Sequence, residues 1–514
     1  MINLPIYNAA ADLLDRNIMA GRADKVAFID PRRQVTYAQL GGEARQAANL
    51  MESLGLRRED RIVMVMLDTI EFPVVFLGAI LAGIVPIPLN TALAPDAHAY
   101  MLADSRAKAL FVAAPLHAAL QPLLADLPDL EHVVVVGEAE APAGTTHFAT
   151  AAARQPVEFT TMATHPEEPA FWLYSSGSTG TPKGAKHVHT SPMATARLYA
   201  QGVLGIKEHD VCLSAAKLFF AYGLGNALSF PMSVGATTVL NPERPTPALM
   251  YDLLEKHNPT LFFAVPTLYA AMLGDPALAK RPGSRRLHLC VSAGEALPAH
   301  IGTTWKSRFG VDILDGVGST ELLHIFLSNA PGEVVYGTSG VAVEGYDLRL
   351  VDEKGAEVAP GEVGELLVRA PSAAEGYWNQ REKSRRTFEG EWTRTGDKYT
   401  RDASGRYTYC GRTDDMFKVS GQWVSPFEVE SALAGHAAVL EAAVIAEEDD
   451  DGLTKPKAFV VLKQGAARDG LEDALKEHVK GAIGAWKYPR WIEIVESLPK
   501  TATGKIQRFK LRGG

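Results

Sequence analysis

The segment of this chain that points most directly to chemistry is residues 174–184, Tyr-Ser-Ser-Gly-Ser-Thr-Gly-Thr-Pro-Lys-Gly. It follows an apolar, strand-like run and is dense in glycine, serine and threonine. Such a loop lets backbone N–H groups and hydroxyls approach phosphate oxygens, and Lys183 adds a positive charge. It is not a Walker A loop, because no Gly-Lys-[Ser/Thr] follows four residues after a glycine. A flexible turn would explain a shorter match, whereas this length and order predict a phosphate-binding loop.

Further segments carry groups that suit a nucleotide. Asp397 and Arg412 are suited to hold ribose hydroxyls through charge-assisted hydrogen bonds, and Glu321 is suited to hold Mg²⁺ on a triphosphate. Lys505 follows a glycine in a polar loop near the C-terminus, where an isolated lysine would be read as a surface residue. The glycines at 316 and 318 lack the third glycine of a dinucleotide fingerprint. The segments are residues 292–296, 315–321, 392–397, 409–415 and 499–508.

The bulk composition excludes several classes of protein. A chain of 514 residues predicts two or more domains, and a net charge of −9 argues against nucleic-acid binding. The three cysteines have no disulfide or zinc spacing, which predicts reduced thiols in a cytoplasmic protein. We expect no signal peptide, because residues 1–5 contain no basic region followed by an apolar one. We expect no membrane span, because Gly83 and two prolines interrupt the uncharged run 72–89.

The elements that would position these residues alternate between strand and helix up to about residue 320. This alternation predicts a multi-domain α/β fold with largely parallel sheets. A smaller antiparallel, barrel-like subdomain is expected at 346–369, and a further α+β unit after residue 411, with an acidic turn at 447–451. Predicted strands are 61–67, 109–114, 132–137, 171–175, 260–266 and 287–292, and predicted helices are 72–83, 96–107, 247–258, 426–433 and 471–483.

Taken together and in this order, the segments resemble the adenylate-forming superfamily of acyl-CoA synthetases, nonribosomal adenylation domains and luciferases. The resemblance implies an N-terminal adenylation domain at 1–413, a mobile C-terminal domain at 414–514, and an acyl-adenylate made from ATP with Mg²⁺. It implies that Lys505 bridges the carboxylate and the α-phosphate. The ATP site that it implies comprises Ser175, Ser176, Gly177, Ser178, Thr179, Gly180, Lys183, Ala293, Gly294, Glu295, Asp315, Gly316, Thr320, Glu321, Asp397 and Arg412.

The same resemblance implies a second step, in which the thiol of coenzyme A attacks the activated carbonyl. A hinge at Asp414 would then exchange Lys505 for the segment Lys418, Ser420 and Gly421 against a pantetheine tunnel. Gly421 fits a tunnel wall because it lacks Cβ, although an ordinary turn glycine stays an alternative. No nucleophilic side chain is needed, so the absence of a Ser-His-Asp triad is no objection.

Residues 217–226, 322–326, 397–399, 418–421 and 486–491 resemble the benzoate and hydroxybenzoate CoA ligase branch. That branch implies benzoate or a close aromatic carboxylate as the acid, for aromatic acid degradation. Hydroxybenzoate or aminobenzoate ligases and a carrier-protein-loading adenylation enzyme are alternatives, as are a P-loop kinase and a non-catalytic AMP sensor. His324 has a core-filling alternative, and a homodimer is compatible with the sequence. The implied acyl pocket comprises Phe220, Ala221, Tyr222, Gly318, His324 and Ile325.

Overall fold

The computed structural model describes residues 5–137, 141–176, 182–419, 422–449, 453–484, 486–500 and 506–512. Its α-helices are α1 Ala9–Met19, α2 Tyr37–Ser53, α3 Glu71–Leu81, α4 Pro95–Ser105, α5 Ala114–Leu124, α6 Phe148–Ala152, α7 Ser191–Thr195, α8 Ala221–Leu224, α9 Phe230–Val234, α10 Pro247–His257, α11 Pro266–Gly274, α12 Ala299–Phe309, α13 Arg381–Thr387, α14 Pro426–Ala434 and α15 Leu471–Ile483. Short π-helical segments lie at Ala196–Gln201 and Gly225–Ser229, and 3₁₀ turns at Pro276–Leu278 and Arg508–Lys510.

The strands are β1 Val26–Ile29, β2 Gln34–Thr36, β3 Arg61–Val65, β4 Val85–Pro88, β5 Ala109–Ala113, β6 His132–Val136, β7 Thr146–His147, β8 Pro169–Ser176, β9 Pro182–Val188, β10 Val211–Ser214, β11 Thr237–Val239, β12 Leu261–Ala264, β13 Leu289–Ser292, β14 Ile313–Gly318, β15 Ile325–Ser328, β16 Val341–Ala342, β17 Asp347–Val351, β18 Gly364–Arg369, β19 Gly376–Tyr377, β20 Phe388–Glu389, β21 Trp392–Arg401, β22 Tyr407–Arg412, β23 Phe417–Val419, β24 Gln422–Val424, β25 Val439–Glu448, β26 Thr454–Leu462 and β27 Trp491–Ile494.

Two sheets with parallel centres form the large N-terminal domain. One has the strand order β16-β15-β14-β13-β12-β10-β11-β1-β2, and the other, which is parallel throughout, has the order β4-β3-β5-β6-β7. In the first sheet β14 to β11 run parallel, while the edge strands β15, β16 and β2 run antiparallel. These sheets confirm the predicted multi-domain α/β class.

Helix α3 shows why the uncharged run near residue 80 is not a membrane span. It is only 11 residues long, and the chain returns at once through β4, whose Val85–Pro88 backbone pairs with β3. All its residues after Glu71 are buried inside the protein. Among the described residues, no helix is long and apolar enough to cross a bilayer.

An antiparallel sheet of β17, β18, β20, β21 and β22 follows the large sheets and confirms the expected change at residues 346–369. A small C-terminal domain then places α14 and α15 beside the sheet β25-β26-β27. The expected acidic turn begins later than predicted, because Glu447 and Glu448 still pair with Lys455 and Thr454 in the β25–β26 ladder.

The region of the predicted phosphate loop is a β-hairpin, and not a strand followed by a loop and a helix. β8 and β9 form an antiparallel hairpin, with Ser175 opposite Lys183 and Ser176 opposite Pro182. Strand β19 adds to the other edge of β9, where Tyr377 pairs with Ala185. The hairpin therefore carries the two ends of the predicted loop side by side.

Candidate active site

The predicted phosphate-binding loop is described only at its two ends. Gly177, Ser178, Thr179 and Gly180 lie outside the described residues. Ser175 and Lys183 face each other across the β8–β9 hairpin. Both side chains then meet Glu321, which lies more than 130 residues further along the chain.

Glu321 is the centre of a polar cluster at this end of the hairpin. Its Oε1 accepts a hydrogen bond of 2.7 Å from the Tyr377 hydroxyl and one of 3.2 Å from the Ser175 hydroxyl, and the Lys183 ammonium lies 3.9 Å away. Burial acts to raise the pKa of Glu321, but Lys183 and these hydrogen bonds hold that pKa below its usual value. The carboxylate is therefore ionised at neutral pH.

These residues fit a Mg²⁺ ion that arrives with a nucleotide. Carboxylate oxygens are typical Mg²⁺ ligands, and the ion usually combines one or two of them with phosphates and water. In the described part of the chain no group of three or more His, Cys, Asp or Glu side chains is arranged to hold a metal. A metal bound at Glu321 would thus take most of its ligands from a triphosphate and from water.

The segments 292–296 and 315–321, both assigned by resemblance to the ATP site, begin on neighbouring parallel strands. Ser292 at the end of β13 is in register with Asp315 on β14, so Ala293 and Gly294 lie beside Asp315-Gly316. Gly294 has a φ of 96°, which favours glycine. The Asp315 side chain is buried, its burial raises the carboxyl pKa well above the usual value, and its Oδ1 has no partner among the described residues.

Asp397 and Arg412 are paired across β21 and β22. Arg412 Nη1 lies 2.9 Å from Asp397 Oδ1 and donates to the Thr395 carbonyl at 3.0 Å. The Asp397 charge raises the pKa of the Arg412 guanidinium. Gly396 between them has a φ of 71°, and a Cβ there would come within 2.8 Å of Arg412 Nη2. The turn therefore presents a carboxylate and a guanidinium together.

Tyr222, Gly318 and Ile325, three of the residues predicted to line the acyl pocket, lie around His324. Its ring lies 5.5 Å from that of Tyr222 and 4.4 Å from that of Phe230. Gly318 pairs with Ile325 in β14 and β15, and a Cβ at Gly318 would lie 2.5 Å from the His324 carbonyl oxygen. Leu323, just before the histidine, has a φ of 67°. His324 and Ile325 are buried, whereas Ala221, Tyr222 and Phe220 are partly exposed.

The hydrogen bonds of His324 define which nitrogen carries the proton. Nε2 lies 3.2 Å from the Tyr222 carbonyl oxygen, which only accepts, so Nε2 is protonated. It lies equally close to the Asn226 side-chain oxygen. Nδ1 is then an acceptor, and it is buried with no partner among the described residues. The Tyr222 hydroxyl donates to backbone carbonyls, at 3.1 Å to Val291.

The predicted hinge and coenzyme A residues lie at the start of the C-terminal domain. Asp414 is in the turn after β22, and its carbonyl accepts a hydrogen bond of 3.4 Å from Arg512. Lys418 is exposed on β23, and its ammonium lies 3.4 Å from Glu353 and 4.6 Å from the centre of the Trp423 ring. Ser420, Gly421 and Lys505 lie outside the described residues.

Four residues of this region were missed by the sequence reasoning: Tyr199, Asn226, Phe230 and Tyr377. Asn226 lies within a quoted segment but was given no role. Tyr377 lies on the two-residue strand β19, which is too short to show a sequence periodicity. This strand is defined only by its pairing with β9. Only the tertiary contacts reveal these four side chains.

The buried histidines predict a loss of stability in mild acid. Burial lowers the pKa of His324 to about 3, and those of His187 and His189 to about 4. Because unfolded histidine titrates near ~6.5, the stabilisation is present above that pH and is lost as pH falls toward ~4, by about 2 kcal/mol per histidine at pH ~5. Burial of Asp68, whose pKa is raised to about 6, acts oppositely, since its contribution is lost as pH rises through that value.

We therefore expect the urea midpoint of the N-terminal domain to fall between pH 7 and pH 5, because the three histidines outweigh the two carboxyls, Asp68 and Asp315, whose pKa values burial raises. Urea unfolding at constant ionic strength measures it. Exchanging His324 for Asn should reduce the dependence of the midpoint on pH. A midpoint that rises toward pH 5 would contradict the argument.

Two protein-family models match most of the chain. Residues 15–378 match the AMP-binding enzyme family, and residues 428–505 match the AMP-binding enzyme C-terminal domain. The chain belongs to the AMP-binding enzyme family. This membership confirms the predicted resemblance to adenylate-forming enzymes.

Individual members of the AMP-binding enzyme family are similar over almost the whole chain. The 4-hydroxybenzoate–CoA/benzoate–CoA ligase of Rhodopseudomonas palustris is 56% identical over 98% of this chain and 94% of its own length. The benzoate–CoA ligase of Thauera aromatica is 55% identical over 98% of this chain and 96% of its own. The solved benzoate CoA ligase of Burkholderia xenovorans LB400 is 49% identical, with a TM-score of 0.91 over 99% of this chain and 100% of that one.

Proposed function

We propose that this enzyme joins benzoate to coenzyme A through a benzoyl-adenylate, consuming ATP and releasing AMP and pyrophosphate. The observation that carries this proposal is the cluster of rings around the buried side chain of His324, a few residues from Glu321 in the chain. The neighbours of His324 are aromatic rings and glycines, which suit a flat, uncharged ring. Relatives named as benzoate–CoA ligases support the same acid.

The first step solves the poor reactivity of a carboxylate. A benzoate oxygen attacks the α-phosphorus, the bond to the bridging oxygen breaks, and pyrophosphate leaves with its electron pair. The carboxylate and the triphosphate are all anionic, so fixed cations must lie where charge develops. We assign Lys183 to the phosphates and Glu321 to the Mg²⁺ ion, which would neutralise charge on the leaving pyrophosphate. Lys505 would bridge the attacking carboxylate and the α-phosphate.

Two sets of polar side chains could bind the base and the sugar of the nucleotide. Adenine carries an amino donor, and the unpartnered Oδ1 of Asp315 is a buried acceptor beside Ala293 and Gly294. We assign these residues to the adenine site, with Gly316, Glu295 and Thr320 at its edges. The Asp397–Arg412 pair offers an acceptor and donors to the ribose hydroxyls.

The second step transfers the acyl group to sulfur. The thiol of coenzyme A attacks the carbonyl carbon, a thioester forms, and AMP leaves as a good leaving group. We assign Asp414 as the hinge, with the domain boundary at 413/414, and Lys418, Ser420 and Gly421 as the wall of the pantetheine path. Phe220, partly exposed at the N-terminal end of α8, is assigned as the aromatic gate.

A second candidate substrate class is hydroxy- or aminobenzoate. His324 Nδ1 is an acceptor without a partner in the described part of the chain, so a substrate O–H or N–H that reaches it would satisfy it. The anthranilate CoA ligase whose structure contains anthranoyl-AMP is 44% identical to this chain, with a TM-score of 0.94. Against this candidate, the Tyr222 hydroxyl proton and the His324 Nε2 proton are already donated to backbone carbonyls.

Pyrophosphate release with and without coenzyme A, ranked by specificity constant, tests the proposal. We expect benzoate to be used best, with 2-fluorobenzoate close behind and octanoate poor, because a site bounded by aromatic rings suits a flat ring better than a flexible chain. A hydroxy- or aminobenzoate well above benzoate would transfer the assignment to that class. An octanoate preference would overturn the aromatic assignment, and pyrophosphate release without any acyl-CoA product would indicate a carrier-protein-loading enzyme.

Ala221→Leu tests the assignment of Ala221 to the acyl pocket. Ala221 is partly exposed and next to Tyr222 in the chain, and if it lines the pocket, a larger side chain would overlap the ring of the acid. Overpacking costs about 1–3 kcal/mol, which is roughly 5- to 150-fold in kcat/KM for benzoate if the cost falls on the transition state. Ala277→Leu, on an exposed 3₁₀ turn, is the control. An unchanged kcat/KM for Ala221→Leu would remove this residue from the pocket.

A further inference from the structure

The Glu321 carboxylate is held asymmetrically. In the described part of the chain, each side-chain contact to it reaches the same oxygen: the Tyr377 hydroxyl at 2.7 Å, the Ser175 hydroxyl at 3.2 Å and the Lys183 ammonium at 3.9 Å all approach Oε1. The Tyr377 contact is the shortest of the three. The arrangement fixes one oxygen and leaves Oε2 to a ligand from outside the cluster.

Tyr377 is also held by contacts outside the phosphate loop. Its side chain is 6% exposed, its ring packs 5.4 Å from that of Phe388, and its backbone N–H donates to Ser384 Oγ at 2.9 Å. Ser175 and Lys183, by contrast, are the two ends of the loop predicted to bind phosphate. Tyr377 is therefore the contact that has supports outside that loop.

Lys183 also directs the phenolic proton. Its ammonium donates to the Tyr377 oxygen at 3.3 Å and lies 4.5 Å from the ring centre. An ammonium has donors and no acceptor, so the phenol must accept from Lys183 and give its own proton to Glu321. The hydroxyl thus has a single orientation, toward Oε1.

We propose that Tyr377 is a positioning residue that fixes one Glu321 oxygen and so presents the other to the Mg²⁺ ion that accompanies ATP. The proposal rests on the assignment of Glu321 to that ion under the proposed function. Mg²⁺ demands near-ideal octahedral geometry, so a freely rotating carboxylate binds it less well than a fixed one. Partners that orient a metal-ligating carboxylate typically contribute about 10- to 100-fold to metal affinity.

The test is Tyr377→Phe in the full chain, with Mn²⁺ as a spectroscopic substitute for Mg²⁺ and α,β-methylene-ATP as the nucleotide. Electron paramagnetic resonance of free Mn²⁺ gives the metal affinity of the enzyme–nucleotide complex. We expect its dissociation constant to rise roughly ten-fold. The Mg²⁺ concentration that gives half-maximal pyrophosphate release should rise by the same factor. The affinity for the nucleotide without metal should stay unchanged.

Tyr7→Phe is the matched control, because the Tyr7 hydroxyl also donates to a carboxylate, that of Asp12, at 2.7 Å and away from this cluster. It should leave the Mn²⁺ affinity unchanged. If Tyr377→Phe binds Mn²⁺ as tightly as the unmodified enzyme while Glu321→Gln binds it weakly, the role of Tyr377 is overturned and the metal assignment stands. If Glu321→Gln also binds Mn²⁺ normally, the metal assignment itself fails, and the positioning role with it.

Discussion

Exchanging Lys505 for alanine is expected to slow benzoyl-adenylate formation by on the order of 10²–10³-fold, the usual effect of removing one donor aimed at developing charge. Conversion of synthetic benzoyl-adenylate and coenzyme A to thioester should keep most of its rate, because the carboxylate is already activated in that substrate. Separate assays of pyrophosphate release and of thioester formation measure the two effects.

The described residues on both sides of the segment 501–505 are held by hydrogen bonds and ion pairs. Lys500 and Ile506 form an antiparallel bridge, and Gln507 N–H donates to the Pro499 carbonyl at 2.8 Å. Arg508 then pairs with Glu430 at 2.7 Å and with Asp415 at 3.2 Å. Both ends of the segment 501–505 are therefore anchored to the C-terminal domain, next to the proposed hinge.

Lys500→Ala is the matched control for Lys505→Ala. Lys500 is an exposed lysine of the same motif, and its ion pair with Glu441 is of a kind worth about 0–1 kcal/mol. The Lys500→Ala variant should therefore run both half-reactions near their normal rates. Equal losses in both half-reactions for Lys505→Ala would contradict an adenylation-specific role.

The Asp414→Pro variant is expected to retain adenylation and to lose thioester formation by on the order of 10²-fold, which is the effect of holding reacting groups out of position. A hinge must change its φ and ψ between the two steps, and proline fixes φ. In the described hydrogen bonds the Asp414 N–H is not a donor, whereas those of Thr413, Asp415 and Met416 are. Proline at 414 thus removes no described bond.

Single-turnover assays of each half-reaction measure the effect of this proline. Asp414→Ala removes the same carboxylate but leaves φ free, so it should behave like the unmodified enzyme in both steps. If Asp414→Pro also leaves both half-reactions near normal, the hinge does not lie at this residue. If Asp414→Ala reproduces the loss, the carboxylate rather than the backbone rotation is responsible.

The helices and strands that sequence patterns predicted well are those with local signals. Residues 471–483 were predicted as a helix and form α15 with those bounds, and the helix predicted at residues 247–258 is α10, Pro247–His257. In α10, Thr246 caps the first turn, Pro247 begins the helix and Asn258 ends it with a φ of 49°. Each of these signals lies within the segment it governs, so the sequence alone carries them.

The hairpin of β8 and β9 is an element whose strand direction local sequence patterns could not predict. An apolar run followed by glycine and serine is compatible with either a parallel or an antiparallel continuation. The choice follows from pairing partners far along the chain, since β19, almost 200 residues later, completes the sheet. Strand β19 has two residues, too few for any periodicity.

What the sequence determined by itself is the family and its kind of chemistry, together with the order of the candidate residues: those for a phosphate loop, a metal, a ribose and a late lysine. Their types and spacing are covalent facts, and the family comparison agrees with the kind of chemistry. Only the tertiary structure decided which groups touch. Glu321 meets Ser175 across 146 positions and Tyr377 across 56, and His324 meets Asn226 across 98. Such contacts arise because burying apolar surface and satisfying polar groups are properties of the whole packed chain, which no local pattern contains.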